Sequence, residues 1–159
     1  MKAAVARVVA ALHAAGIEAP VTEFSESTHT AEEAAAAVGA TLGQIVKSLI
    51  FVAGDRPVLA LVSGANRVDV ARLATAAGGP IRRADADTVR TATGYAIGGV
   101  PPLGHPSVLP TFLDADLRRY ERVWAAAGTP NAVFPITPAE LERVTGAQVV
   151  DLAARPAAS

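Results

Sequence analysis

Two features of the sequence could do chemistry, and the first is a lysine. Of 14 basic residues in the 159-residue chain only Lys2 and Lys47 are lysines. Lys47 lies inside residues 44–53, QIVKSLIFVA, a run that otherwise reads as a core strand. Period-two alternation places Ile45, Lys47, Leu49 and Phe51 on one face and Val46, Ser48, Ile50 and Val52 on the other. An ammonium set among apolar side chains is costly to bury unpaired, so it should reach a carboxylate, a phosphate or a cleft. The alternative is a stem that snorkels past the sheet edge to solvent. The second feature is the loop GGVPPLG at residues 98–104. Adjacent Gly98 and Gly99 free the backbone for positive φ, and Pro101 and Pro102 stiffen the chain just beyond them. Such a loop can aim N–H groups at an anion or a carbonyl oxygen. It can equally be a long tight turn. It is neither a P-loop nor a dinucleotide fingerprint, since no Lys-Ser/Thr comes after the glycines and no strand immediately precedes them.

Other chemistries are excluded or weak. With no Cys there is no disulfide framework, thiolate site or Cys nucleophile. His13, His29 and His105 lack paired ligand spacing, and no G-x-S-x-G elbow occurs, so neither a metal nor another cofactor is expected. Asp114 and Asp116 read as a helix cap and a solvated charge. Arg82, Arg83, Arg90, Arg118, Arg119 and Arg122 fit a phosphate-binding rim or solvated helix faces. A net charge of −1 and a pI near 6.3 exclude a broadly basic coat but leave room for one small basic patch.

The elements that must position these groups are well punctuated. The start, MKAAVARVVAALHAAG, superficially suggests a signal peptide. However, Val5, Val8, Val9 and Leu12 recur at helical spacing around Arg7 and His13, which predicts an amphipathic helix ending near Gly16. A short strand is predicted over residues 20–24, and the Thr30/Glu33 capping box opens a helix to Gly39. Residues 44–53 and 58–63 form a predicted hairpin. Helices are predicted from Asp69 to Gly78-Gly79 and from Asp85 to about Thr93. Residues 94–106 are irregular. A strand at 108–113 carries Pro110, implying an edge or bulge. Strands at 123–127 and 132–136 pair, Thr137 to Glu140 starts a helix, and a strand at 148–152 precedes a frayed tail.

The chain is 51% hydrophobic and 18% charged, with mean hydropathy +0.33, so it can bury a core without staples. Interleaved helices and strands predict one compact α/β (α+β) domain over residues 1–159 with a mixed sheet. No apolar run reaches the ~18 residues of a membrane span, and a cytoplasmic location is expected.

IVKSLIF, GYAIGGVPPLGH and VLPTFLDADL, in this order and spacing, resemble the YbaK / prolyl-tRNA-synthetase-associated family of aminoacyl-tRNA deacylases. The likeness runs over roughly residues 21–152. It implies a compact domain around a mixed, partly barrel-like sheet flanked by short helices. It also implies hydrolysis of the ester joining a wrong amino acid to tRNA, here by a free-standing, trans-acting form. The implied partners are the 3′ acceptor end of a mischarged tRNA and an aminoacyl-tRNA synthetase. The family's strand lysine falls on Lys47 and its G-x-x-x-P loop on residues 98–102. Lys47, Gly98 and Gly99 are thereby the expected catalytic positions, with Val100, Pro101, Pro102, Asn131 and Val133 on the substrate. Val133 stands where some relatives are polar or charged, and Pro101 where some carry Ser, which marks a differently tuned pocket. Cys, Ala, Ser and Thr remain open as the amino acid removed. A non-catalytic module that binds the tRNA end or a synthetase, and a metabolite binder using the same loop, are the rival readings.

Overall fold

In the computed structural model, which describes residues 2–25 and 30–155, the first apolar repeat folds as α1 (Ala3–Ala14) and buries Val5, Val8 and Leu12. A short strand, β1 (Thr22–Glu23), comes next. Thr30 caps α2 (Ala31–Val38): its hydroxyl accepts from the Glu33 N–H while the Glu33 carboxylate accepts from the Thr30 N–H, the predicted reciprocal box. The β-branched run starts later than predicted. Gln44 accepts from the Thr41 N–H and closes a 3-10 turn, Leu42–Gln44, before β2 (Val46–Ala53) begins.

β2 pairs antiparallel with β3 (Arg56–Ser63), which includes Pro57. The Ile50 carbonyl accepts from Ala84 on the opposite side, so the Val52–Pro57 pair exchanges no ladder bonds and the missing proline N–H costs nothing. α3 (Val70–Ala77), capped by Asp69, leads to β4 (Ile81–Arg83), a strand too short to leave a periodic signal. Asp85 caps α4 (Ala86–Thr93), and irregular chain runs on to β5 (Thr111–Asp114). A 3-10 turn, β6 (Val123–Ala126), β7 (Ala132–Ile136), α5 (Pro138–Thr145) and β8 (Gln148–Val150) complete the order.

Among the described residues β4-β2-β3-β5-β8 form a mixed sheet, parallel at β3/β5 and β5/β8, and β1-β7-β6 form an antiparallel one. A parallel bridge between Ile45 and Trp124 joins the sheets at one corner, and among the described residues no barrel closes. The domain is α+β, as the sequence predicts. Two expectations change. β5 lies inside the sheet rather than at an edge; Pro110 stands just ahead of it and offers its carbonyl to the Leu59 N–H. The tail is tied down through Arg155, with Ala153 bridged to Val68 and Arg155 paired to Asp116 and Asp151.

Both faces of the large sheet are covered. Val46, Ile50, Leu59, Leu61 and Leu113 join the main core on one face; Phe51, Val58, Ala60, Val62 and Phe112 pack with Leu73 of α3 on the other. That is why these strands read as continuous apolar runs. β4 pairs only with Phe51, Val52 and Ala53, and among the described residues no strand pairs with the earlier half of that β2 edge.

Candidate active site

A cavity of about 280 Å³ lies along this uncovered part of β2. Its apolar wall comes from Val46 and Ile50 of β2, Val89 of α4, Val100 of the Gly-Pro loop, Trp124 of β6 and Val133 of β7. α2 closes one side through Thr30, Ala31 and Ala34, and Arg83 and Ala84 close another. Lys47, Ser48 and Gly98 also line it. Several separate stretches of chain therefore meet at one hollow, which explains why no local motif discloses it.

Lys47 is half-buried, and its Nζ donates to the backbone carbonyl of Asn66. Burial pushes its pKa below the ordinary lysine value; Asp114 and Glu32 pull it back up, while Arg83 and Arg67 push it further down. Asn66 is itself held tightly. Its side-chain amide donates to Asp114 Oδ2 and Asp116 Oδ2, both at 2.8 Å. Asp114 Oδ2 also accepts from the Ser63 N–H at 3.1 Å, and Asp114 Oδ1 accepts from the Asp116 N–H at 3.0 Å. Asp114 thus caps its turn as expected, yet it is fully buried. Asp116 pairs with Arg119 and Arg155 instead of standing solvated alone. An aspartate ending the apolar run TFLD is the available signal for a buried carboxylate.

Ser48 lies on the same strand face as Val46 and Ile50. Its hydroxyl oxygen is buried and, among the described residues, is the one buried side-chain polar atom without a hydrogen-bond partner. Nothing in the sequence pattern distinguishes it from a structural serine.

The loop separates its two glycines. Gly98 has φ +88°, a conformation favouring glycine, and a Cβ there would sit 3.6 Å from Pro130. Gly99 is needed for a different reason: a Cβ would come within 2.8 Å of Thr129 Cα and 2.9 Å of the Gly128 carbonyl oxygen. The Gly99 N–H donates to Ala96 at 3.0 Å, whereas the N–H groups of Gly98 and Val100 find no acceptor among the described residues. Pro101 and Pro102 are buried outside the cavity lining. His105 braces them, its ring bonded to the Pro101 carbonyl at 2.7 Å, and Tyr95 Oη donates to the Gly104 carbonyl. Burial pushes the His105 pKa down, opposed by that bond to Pro101.

The remaining predicted positions split. Val133 lines the cavity; Asn131 does not, its amide donating to the Phe24 carbonyl and its Oδ1 accepting from Thr129. Lys47, Gly98, Val100 and Val133 are thus brought together, while Gly99, Pro101, Pro102 and Asn131 support them from behind. His29 lies outside the described residues. Among those described, no group of three or more His, Asp or Glu could hold a metal ion, and no helix is long and apolar enough to cross a membrane.

Residues 25–144 match the model of the family described as the aminoacyl-tRNA editing domain. A crystal structure of a candidate trans-editing enzyme for prolyl tRNA synthetase superposes with TM-score 0.95 at 51% identity, over 98% of this chain and 99% of that one. YwhH of Bacillus subtilis is 35% identical over 133 residues, 83% of this chain and 85% of that protein. EbsC of Enterococcus faecalis, named as a candidate Cys-tRNA(Pro)/Cys-tRNA(Cys) deacylase, is 28% identical over 131 residues, 81% of this chain and 80% of its own.

Proposed function

Because the chain belongs to the aminoacyl-tRNA editing domain family, we propose that it acts in trans as a deacylase, hydrolysing the ester between a wrong amino acid and the 3′ end of tRNA. The observation that carries this reading is the pair of N–H groups, Gly98 and Val100, that lack an acceptor in residues lining the cavity. Val100 is buried, where an unpaired amide is costly, while Gly98 is exposed; an ester carbonyl that becomes an oxyanion is an acceptor both amides suit.

An aminoacyl ester is already reactive, so positioning and charge stabilisation can supply most of the catalysis. A water adds to the ester carbon, assisted by the vicinal hydroxyl of the substrate's own ribose. The carbonyl oxygen takes the negative charge and receives the Gly98 and Val100 N–H bonds. As the tetrahedral carbon collapses, the bond to the ribose oxygen breaks and that oxygen leaves with a proton. The Lys47 ammonium holds the ribose or terminal phosphate. The cavity, at the small end of the ~300–1,000 Å³ usual for ligand sites, suits a small side chain against its Val-rich wall. Such an editor is useful because a synthetase pocket discriminates one methylene or hydroxyl by only ~10- to 200-fold.

The deciding experiment is a panel of tRNAs charged with Cys, Ala, Ser or Thr, followed for ester loss with and without the protein. Accelerated loss of at least one supports the reading. Uniformly prolonged ester lifetime identifies a binding module that shields the end without cleaving it.

A further inference from the structure

We infer that Asp114 and Asn66 are positioning residues for this site: together they fix the Asn66 carbonyl that captures the Lys47 ammonium, and so set where that charge stands. The inference rests on the deacylase reading only in its kinetic part.

Asp114 is more elaborate than a cap needs. A five-residue 3-10 turn requires one acceptor, which a neutral Asn or Ser supplies. Instead a fully buried carboxylate takes three N–H bonds, from Ser63, Asn66 and Asp116. Two of these donors lie at the end of β3 and in the loop beyond it. Asp114 therefore stitches β5 to the segment carrying the Asn66 carbonyl. Asp116 grips the same amide from its other side, which leaves the Asn66 side chain little freedom.

Charge points the same way. Asp116 is balanced by Arg119 and Arg155, but among the described residues Asp114 forms no ion pair, and neither does Lys47. Lys47 feels Asp114 from β5 and Glu32 from α2 as attractive charges, and Arg83 from β4 and Arg67 from the loop before α3 as repulsive ones. Removing the Asp114 charge leaves Glu32 alone against two arginines and against burial. The ammonium then loses its proton at lower pH.

The test exploits the rarity of lysine: with only Lys2 and Lys47 present, their Nζ signals in the 15N-lysine-labelled 159-residue chain are assigned by one substitution. In Asp114→Asn the Lys47 titration midpoint should fall while that of Lys2 stays put. The alkaline limb of single-turnover deacylation, corrected for spontaneous hydrolysis, should move down by the same amount. Asn66→Ala keeps the carboxylate and frees the carbonyl, so kcat should drop, by up to about 100-fold for a misplacement near 1 Å. An unmoved Lys47 midpoint in folded Asp114→Asn overturns the inference. So does an unchanged kcat in Asn66→Ala, which decides the matter if Asp114→Asn does not fold. A wild-type protein that deacylates nothing defeats the proposed function instead, and the NMR midpoint still tests the coupling.

Discussion

The Gly99 N–H donates to the Ala96 carbonyl at 3.0 Å, which gives two adjacent glycines different work. Gly99 lets the loop pack against the Gly128–Thr129 backbone, while Gly98 supplies a positive-φ turn and an unbonded amide. Gly98→Ala should cost ~1 kcal/mol or more in backbone strain because of its positive φ, while its Cβ meets only an ordinary contact at Pro130. Its deacylation rate should fall far more, by ~100- to 1000-fold for a displaced oxyanion donor. Gly99→Ala should be the less stable of the two. Thermal melts beside single-turnover rates check this. If Gly98→Ala melts lower yet deacylates normally where folded, the loop is only a turn and the oxyanion site lies elsewhere.

Replacing Lys47 with Ala should abolish most deacylation and leave the melt near that of the wild type, since a half-buried ammonium costs desolvation as well as gaining a bond. Lys47→Arg should rescue poorly. A planar guanidinium cannot take the place of a compact charge bonded to one carbonyl. Rates equal to wild type at both low and saturating substrate would reduce Lys47 to a structural residue.

What is legible in the sequence is local. The Thr30/Glu33 box, the Asp69, Asp85 and Thr137 caps and the hairpin all rest on residues within a few positions of one another. Lys47 stands out because one charge in an apolar run has few excuses. The bonding of Asp114 is hidden because one of its partners is Ser63, 51 residues away, and the place of Pro110 because a proline ahead of a strand resembles one within it. The division between Gly98 and Gly99 depends on the turn at 128–130, which no pattern around residue 98 encodes. Pro101, Pro102 and Asn131 are near the site in sequence and behind it in space.

Ser48 should trade stability against function. A buried hydroxyl without a partner costs about 1–3 kcal/mol, a penalty that Ser48→Ala removes. The variant should melt at or above the wild-type temperature. If the hydroxyl turns to the bound substrate, kcat/KM should nonetheless fall by roughly 2- to 10-fold, the worth of one neutral hydrogen bond. A lower melting temperature with unchanged kcat/KM would show that the hydroxyl serves the fold.

His105 should make stability pH-dependent in one direction. Burial holds its folded pKa below the ordinary 6.5, so the unfolded chain binds the proton more readily. Stability is then at full strength above about pH 6.5 and declines as pH falls from there toward the lower folded value. His105→Gln removes the titration while keeping a donor, so its melting temperature should change less between about pH 7.5 and 5.5 than that of the wild type. Parallel slopes for the two proteins would mean that another group governs this range.

Binding to tRNA should depend only shallowly on salt. The chain carries a net charge of −1, and Arg72, Arg118, Arg119 and Arg155 are engaged with carboxylates. Among the described residues Lys47 and Arg83 line the cavity, and Arg67 stands close enough to act on Lys47. Each phosphate neutralised contributes a slope of about −0.7 to −0.9 in log affinity against log salt, so three cations give roughly −2 to −3. Arg83→Ala should make the slope less steep by about one of those increments and weaken all charged tRNAs alike, because a phosphate contact carries no side-chain selectivity. Titrations between about 50 and 300 mM salt measure both quantities. A slope corresponding to six or more phosphates would require a broader basic surface than one chain presents, and sedimentation of the complex would then show whether two copies build it.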